Sequence, residues 1–409
     1  MQGYKNKVFR LQGKVQHYDW GGKDFLPALL NIPNPENKPF AEYWMGAHRN
    51  GPSALESENN NRLSLDKFIA KDPAGTLGAT VYKAFGRLPF LLKILDVRNM
   101  LSIQVHPTKK NAESAFAMEN LMKVPLDSSS RNYKDDNHKP ELMVALGDFW
   151  LLHGFKSPKT LENALGQVPE LNFLINVFAK GNYKKLYREV MYMEQTEVDK
   201  TLMPLLNRIL PKYQRGELKK NTEDFWAARA ATIFNKERNI DRGIFSIYFF
   251  NLLLLKKGEG IFQDAGIPHA YLEGQNIEIM ANSDNVLRAG LTTKHINVDE
   301  LMKHVIFSET IPEIIHPEKH AERWELFPAP VNDFELCLLS LDKGERIKMN
   351  SKSLEIYFVL EGELLIQEEG AQLFRRGRGQ AFLSLTQSEF SCESIAQSLL
   401  IRAGTRLGK

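Results

Sequence analysis

The sequence predicts a mainly β protein with an α-helical insertion: two jelly-roll β-sandwiches plus a helical domain. Three observations carry this. Short strand-like runs broken by Gly, Pro and Asn fill residues 1 to about 150. From about residue 157 the apolar residues recur at helical spacing. After residue 240 the strands return, five to eight residues long with Gly turns at near-regular intervals, and continue to the end of the chain. At 409 residues the chain exceeds one ordinary core. The expected division is a first sandwich from 1–156 and 241–320, a helical insertion at 157–240, and a second sandwich at 321–409.

In chain order, the first β region reads "KVFRLQGKVQHYDWGG", "LPFLLKILDV", "LSIQVHP" and "ELMVALG", with a short helix around Leu65 to Ile69. In the insertion, Tyr183, Leu186, Tyr187 and Val190 share a helical face, as do Leu202, Leu205, Leu206 and Ile209, then Trp226, Ala230 and Ile233. Pro211 and the polar "YQRGELKKN" are expected to punctuate these helices. "NLLLLKKGEGIFQDAGIPHAYL" then reads strand, Gly turn, strand, Gly-Ile-Pro turn, strand. The last sandwich repeats that grammar in "ELCLLSLDKGERIKM", "SLEIYFVLEGELLIQ", "LFRRGRGQAFL" and "QSLLIRAG".

Composition narrows the function classes. With 43% apolar and 25% charged residues the chain is globular, neither disordered nor collagen-like. A formal charge of +3 calls for no nucleic-acid surface. The longest apolar run, Ile244 to Leu255, contains Ser246 and Asn251 and is too short to span a bilayer, so no membrane partner is expected. Cys337 and Cys392 make no disulfide framework, zinc-finger or CxxC pattern. The amino-terminal "MQGYKNKVFRLQG" lacks the apolar body of a signal peptide. A reducing, cytoplasmic setting is the expectation.

In "LSIQVHP" a period of two puts Ser102, Gln104 and His106 on one side. Gln104, His106, Glu141 and His269 make a mixed O/N set suited to one divalent ion, Zn²⁺ or a neighbouring first-row metal. Dispersed ligands are a weak signal by spacing alone, and strand histidines with ordinary hydrogen bonds fit the same pattern.

The motifs add what spacing lacks. "QVHP", "NHKPE", "GIPHAYL" and "NSDNVLRAGLTTKHI", with "HYDWGG" and "AEYWMGAH", resemble the motif set of the type I mannose-6-phosphate isomerases. The resemblance runs in order from residue 15 to about 300, and the final 80 or so residues match only as a cupin-like sandwich without metal. It implies a cupin-type fold and one zinc ion per chain on Gln104, His106, Glu141 and His269. The implied reaction interconverts mannose 6-phosphate and fructose 6-phosphate through a cis-enediol, supplying mannose for nucleotide-sugar and glycan synthesis. Arg288 in "NVLRAGL" matches the family's essential arginine, and a guanidinium suits charge stabilisation rather than base duty.

Candidates for the base are Lys139, where burial and a nearby cation would favour proton exchange, Asp284, Glu42 and a zinc-bound water. Asp284 equally suits a supporting role, orienting Arg288 or Lys294. Tyr271, two residues after His269, is an expected sugar contact, and Trp20 either stacks on the substrate or fills the core. No P-loop is present; the resemblance points instead to Ser102, Lys93 and Lys156 for the phosphate. Lys93, in an otherwise apolar strand, needs either a bound anion or a partner carboxylate. His138 and His153 fall off the ligand positions. The expected partner is a small sugar phosphate and the expected unit a monomer. Two other classes compete: a non-catalytic sugar- or metal-binding cupin, and a cupin oxygenase, whose chemistry prefers redox iron.

Overall fold

The computed structural model describes residues 6–56, 62–128, 130–235, 239–320 and 323–407; residues 1–5 of the amino-terminal stretch lie outside it. Two antiparallel sheets dominate, of ten and eleven strands among the described residues. The ten-stranded sheet runs Phe250–Leu255, Phe149–Phe155, His269–Ala281, Phe90–Val97, Glu42–Gly46 and Lys14–Gln16, with Gln104–Val105, Leu287–Arg288, Glu141–Ala145 and Gly260–Gln263 branching from it. Every residue of Phe90–Val97 and Glu141–Ala145 is buried, because these strands are covered on both faces.

The eleven-stranded sheet gathers the carboxy-terminal strands but also takes three from the amino-terminal region: Val8–Gln12, Ala54–Glu56 and Arg62–Ser64. Val8 pairs with Ser384 and Leu11 with Ala381. The expected 1–156 unit therefore gives up its first strand to the second sandwich. The physical reason is an edge: Ala381–Ser384 would otherwise present unpaired amides and carbonyls on that side, and Leu11 joins Leu383 in one core. The chain switches sheets at Gly13, where a Cβ would lie 2.5 Å from the Trp44 carbonyl oxygen. In the sequence "KVFRLQGKVQ" reads as one run.

The helical region comprises, in order, Pro158–Gly166, Phe173–Phe178, Tyr183–Met191, Gln195–Gln214, Glu223–Phe234 and Gly243–Phe249, with two short 3-10 turns. Two expectations change here. Pro211 does not itself end a helix: Gln195–Gln214 runs through both Pro204 and Pro211 and stops at Gln214, within the polar "YQRGELKKN". The apolar run after residue 240 is helical as far as Phe249 before strand Phe250–Leu255 begins. The core under these helices is continuous with the strands that carry the site: Ile103, Val105, Ala270, Leu272, Leu287 and Ala289 pack in one cluster with Tyr187, Leu202 and Trp226. Period-two alternation then turns their neighbours Gln104, His106, His269 and Arg288 the other way. Both cysteines are buried and free.

Candidate active site

Four strands bring the expected ligands together. Gln104 pairs with His269 on one side and with Arg288 on the other, so two ligand candidates and the arginine lie at one level of three adjacent strands. Glu141 opens its own strand after the turn containing Pro140. Its Oε1 lies 3.5 Å from His106 Nε2 and its Oε2 lies 3.4 Å from His269 Nε2. Ligand atoms of His106, Glu141 and His269 all fall within 4.8 Å of one another, and all three residues are buried.

The tautomers are set from behind. His106 Nδ1 donates to the Asn285 carbonyl and His269 Nδ1 to the Ile267 carbonyl, both at 2.9 Å. Each Nε2 is thereby left as a lone-pair acceptor, and both are buried without a hydrogen-bond partner. Burial pushes the His106 imidazole down to about 4, so it is neutral as a ligand must be. Burial alone would raise the Glu141 carboxyl, but the charge of Lys139, followed by His106, holds it well below the usual range. Two neutral imidazoles with orphaned Nε2 atoms around an ionised carboxylate fit a zinc-type ion, with Gln104 alongside as a neutral oxygen donor.

A cavity of about 760 Å³ lies beside this cluster, lined by Gln104 and Lys139 but by none of His106, Glu141 and His269. Of the expected site residues, Trp20, Glu42, Lys93, Ser102, Gln104, Lys139, Asp284, Arg288 and Lys294 line it. Lys139 Nζ sits 2.9 Å from Glu141 Oε1. Among the described residues the Arg288 guanidinium has no ion pair, and burial lowers its pKa. Lys294 is likewise free of a carboxylate among the described residues; burial and then the Arg288 charge lower its pKa. Trp20 lines the cavity, packs partly against the core and stacks on Tyr18.

Several expectations are corrected. Lys93 is neutralised by carboxylates, 2.9 Å from Glu278 and 3.5 Å from Glu42, which together with Glu141 raise its pKa although burial opposes them. Lys156 lies outside the cavity lining, held by Glu223 at 3.1 Å and the Phe250 carbonyl. Tyr271 is buried edge-on to Phe149 and donates to Glu278 at 2.9 Å, because the bulge after it turns the strand. Asp284 bonds neither Arg288 nor Lys294; its carboxylate faces His48, Arg49 and Asn50. His138 and His153, by contrast, lie off the metal cluster as expected: His138 binds Asp333, and His153 binds Gln263.

The sequence reading missed Glu278 and His48. Glu278 had a signal: a lone acid in the apolar strand "NIEIM", opposite Lys93 in register. His48 had only its place in "AEYWMGAH".

A cupin-type sandwich with a two-histidine, one-carboxylate cluster beside a cavity lined by Lys139, Arg288 and Lys294 defines a metal-binding enzyme class that acts on small anionic substrates. A family model described as phosphomannose isomerase type I, catalytic domain, matches residues 8–158. The mannose-6-phosphate isomerase of Salmonella typhimurium is 36% identical over 385 residues, 93% of this chain and 95% of that protein. That of Mus musculus is 32% identical, covering 97% of both. Among solved structures, a lysine-to-alanine variant of the Salmonella typhimurium phosphomannose isomerase superposes with a TM-score of 0.88 at 33% identity, over 98% of this chain and all of that one. A zinc-bound holo mannose 6-phosphate isomerase superposes at 0.87 with 32% identity, again over 98% of this chain. The chain belongs to the type I phosphomannose isomerase family.

Proposed function

We propose that this chain is a zinc-dependent aldose–ketose isomerase that interconverts mannose 6-phosphate and fructose 6-phosphate. The observation that carries this reading is the alignment of His269, Gln104 and Arg288 on three adjacent strands, with Gln104 and Arg288 lining one cavity together with Lys139 and Lys294. A non-catalytic cupin has no chemical need for an arginine without a counter-ion beside a metal cluster, and family membership speaks against it too.

Gln104, His106, Glu141 and His269 would hold one zinc ion. When bound, zinc supplies Lewis-acid stabilisation of oxygen charge in the enediol stage. Arg288 orients the same oxygens and offsets their charge without exchanging protons. Lys139, in contact with Glu141 and open to the cavity, is the side chain we assign to moving the proton between C1 and C2. Asp284, on the cavity wall, accepts hydrogen bonds from sugar hydroxyls. The phosphate end falls to Lys294 with Ser102, since Lys93 is already neutralised by Glu278 and Glu42. Two free buried cysteines are compatible with the cytoplasm, and the expected unit is a monomer.

The test is a coupled isomerase assay on metal-depleted and zinc-restored protein, run with several aldose phosphates. Mannose 6-phosphate turnover should vanish with the metal and return with zinc. Metal-replete protein that binds sugar phosphate but turns over neither sugar contradicts the reading.

A further inference from the structure

The turn after strand Glu42–Gly46 presents three consecutive residues, His48, Arg49 and Asn50, and all three reach one carboxylate more than 230 positions away. His48 Nε2 lies 3.2 Å from Asp284 Oδ1. Asn50 Nδ2 donates to Asp284 Oδ2 at 2.9 Å, and Arg49 Nη2 lies 3.4 Å from the same oxygen. The tautomer of His48 is set within the turn: the Asn50 backbone N–H donates to His48 Nδ1 at 3.2 Å, so the ring proton sits on Nε2 and points at Asp284. The imidazole is buried, with 4% of its surface exposed, and stands edge-on to Trp44 with ring centroids 4.9 Å apart. It lines the same cavity as Asp284.

The main chain on the other side is fixed separately. Asp135 Oδ2 accepts the Asp284 backbone N–H and Asp135 Oδ1 accepts the Ser283 hydroxyl, both at 2.7 Å. The backbone of Asp284 is thus anchored by one loop and its carboxylate by another, and rotation of the carboxylate would break contacts at both oxygens.

We propose that His48 is a positioning residue for the isomerisation: through its Nε2 proton, backed by Arg49 and Asn50, it fixes the Asp284 carboxylate towards the sugar. The inference rests on the isomerase reading above, in which Asp284 meets the substrate. The charged and titratable groups around Asp284 are His48 and Arg49 from the turn, Lys139 and Asp135 from the loop before Glu141, and Tyr18 from the amino-terminal segment. Burial alone would raise the Asp284 carboxyl, but the His48 hydrogen bond and the charges of Lys139 and Arg49 bring it below its ordinary value. Removing the His48 donor raises it, so an activity that needs the ionised form is lost at a higher pH on acidification.

The experiment compares the zinc-loaded wild type with His48→Phe, which removes the donor, and His48→Gln, which keeps one near the Nε2 position. His48→Phe should lose about a hundredfold in kcat/KM, retain zinc at wild-type stoichiometry, and show the acid limb of its pH profile displaced upward. His48→Gln should keep the wild-type acid limb. In an Asp284→Asn background, His48→Phe should cost no more than roughly a further twofold. A wild-type acid limb in His48→Phe, or a full additive loss in the double variant, overturns the proposal. If His48→Phe does not fold, Asn50→Ala removes the 2.9 Å bond at an exposed position and must displace the same limb in the same direction; an unmoved limb overturns the proposal. An inactive wild type would instead remove the isomerase reading, an outcome distinct from an active wild type with a silent His48.

Discussion

Gln104 is the ligand candidate that tunes the site rather than assembling it. Glu141 already contributes one negative charge between two neutral imidazoles, and a neutral amide leaves the ion less compensated than a second carboxylate would. Gln104→Glu should therefore retain zinc while lowering kcat about tenfold or more, as read by metal analysis alongside the coupled assay. A variant with full turnover would show that the amide is not what sets the acidity of the site. Arg288 separates in the opposite sense. It pairs with Gln104 only through the backbone and meets no carboxylate among the described residues, so Arg288→Ala should leave zinc stoichiometry unchanged. Turnover should fall about a hundredfold or more, as for the loss of a positioned charge donor. Loss of zinc in that variant would assign Arg288 to assembly of the metal site. At this scale the sequence identifies residue types well and partners poorly. Lys93 announces that it needs a partner, yet Glu278 lies 185 positions away and only the strand register brings the two together.

The turn that carries Arg288 and Lys294 is held by a single carboxylate and a glycine contact. Asp241 Oδ1 accepts the backbone N–H groups of Gly243 and Leu291, at 2.7 and 2.8 Å, and Oδ2 accepts that of Thr292 at 2.9 Å. Gly290 adopts φ 130°, and a Cβ there would stand 2.4 Å from the Gly243 Cα. Gly290→Ala should consequently destabilise the protein by about 2 kcal/mol or more, read by chemical denaturation. It should also raise KM for mannose 6-phosphate, because Lys294 lies four residues further along the displaced turn. A variant with unaltered stability and KM would mean that the turn tolerates the displacement. "VLRAGL" shows in sequence that a glycine follows the arginine, but not what approaches it. The Asp241 anchor is invisible there, since it comes from the link between helices Glu223–Phe234 and Gly243–Phe249, 50 positions before Leu291. Strand and helix assignments succeed where burial follows a period of 2 or 3.6, as in Arg346–Ser351 and Tyr183–Met191. They fail where tertiary contacts decide, as at Pro211 and at Gly13, where one strand-like run feeds two sheets.

The whole molecule ties the metal cluster to both halves of the chain. One core contains Leu11, Leu92, Ile94 and Ile277 from the amino-terminal and central strands, together with Phe358, Leu383 and Ile401 from the carboxy-terminal sandwich. A second core joins the helices to the backs of the strands carrying the ligands: Val105 lies between Gln104 and His106, and Ala270 follows His269. The carboxy-terminal sandwich also has an interior of its own, built around Cys337, Tyr357, Phe382 and Leu400 with Val8 from the amino-terminal strand, but its other face belongs to the first core, so it cannot melt without opening the core it shares with Leu92, Ile94 and Ile277. A ligand that binds only the folded state stabilises it by about 4 kcal/mol at a thousandfold excess over its dissociation constant. With shared cores, that stabilisation must appear across the entire unfolding transition. Calorimetry of the zinc-loaded protein should accordingly show one endotherm, moved as a whole to lower temperature by chelation and restored by zinc, with tryptophan fluorescence and far-UV circular dichroism changing together. Two transitions of which only one responds to zinc would mean that the carboxy-terminal sandwich folds independently and that the common core couples the halves less than its packing implies.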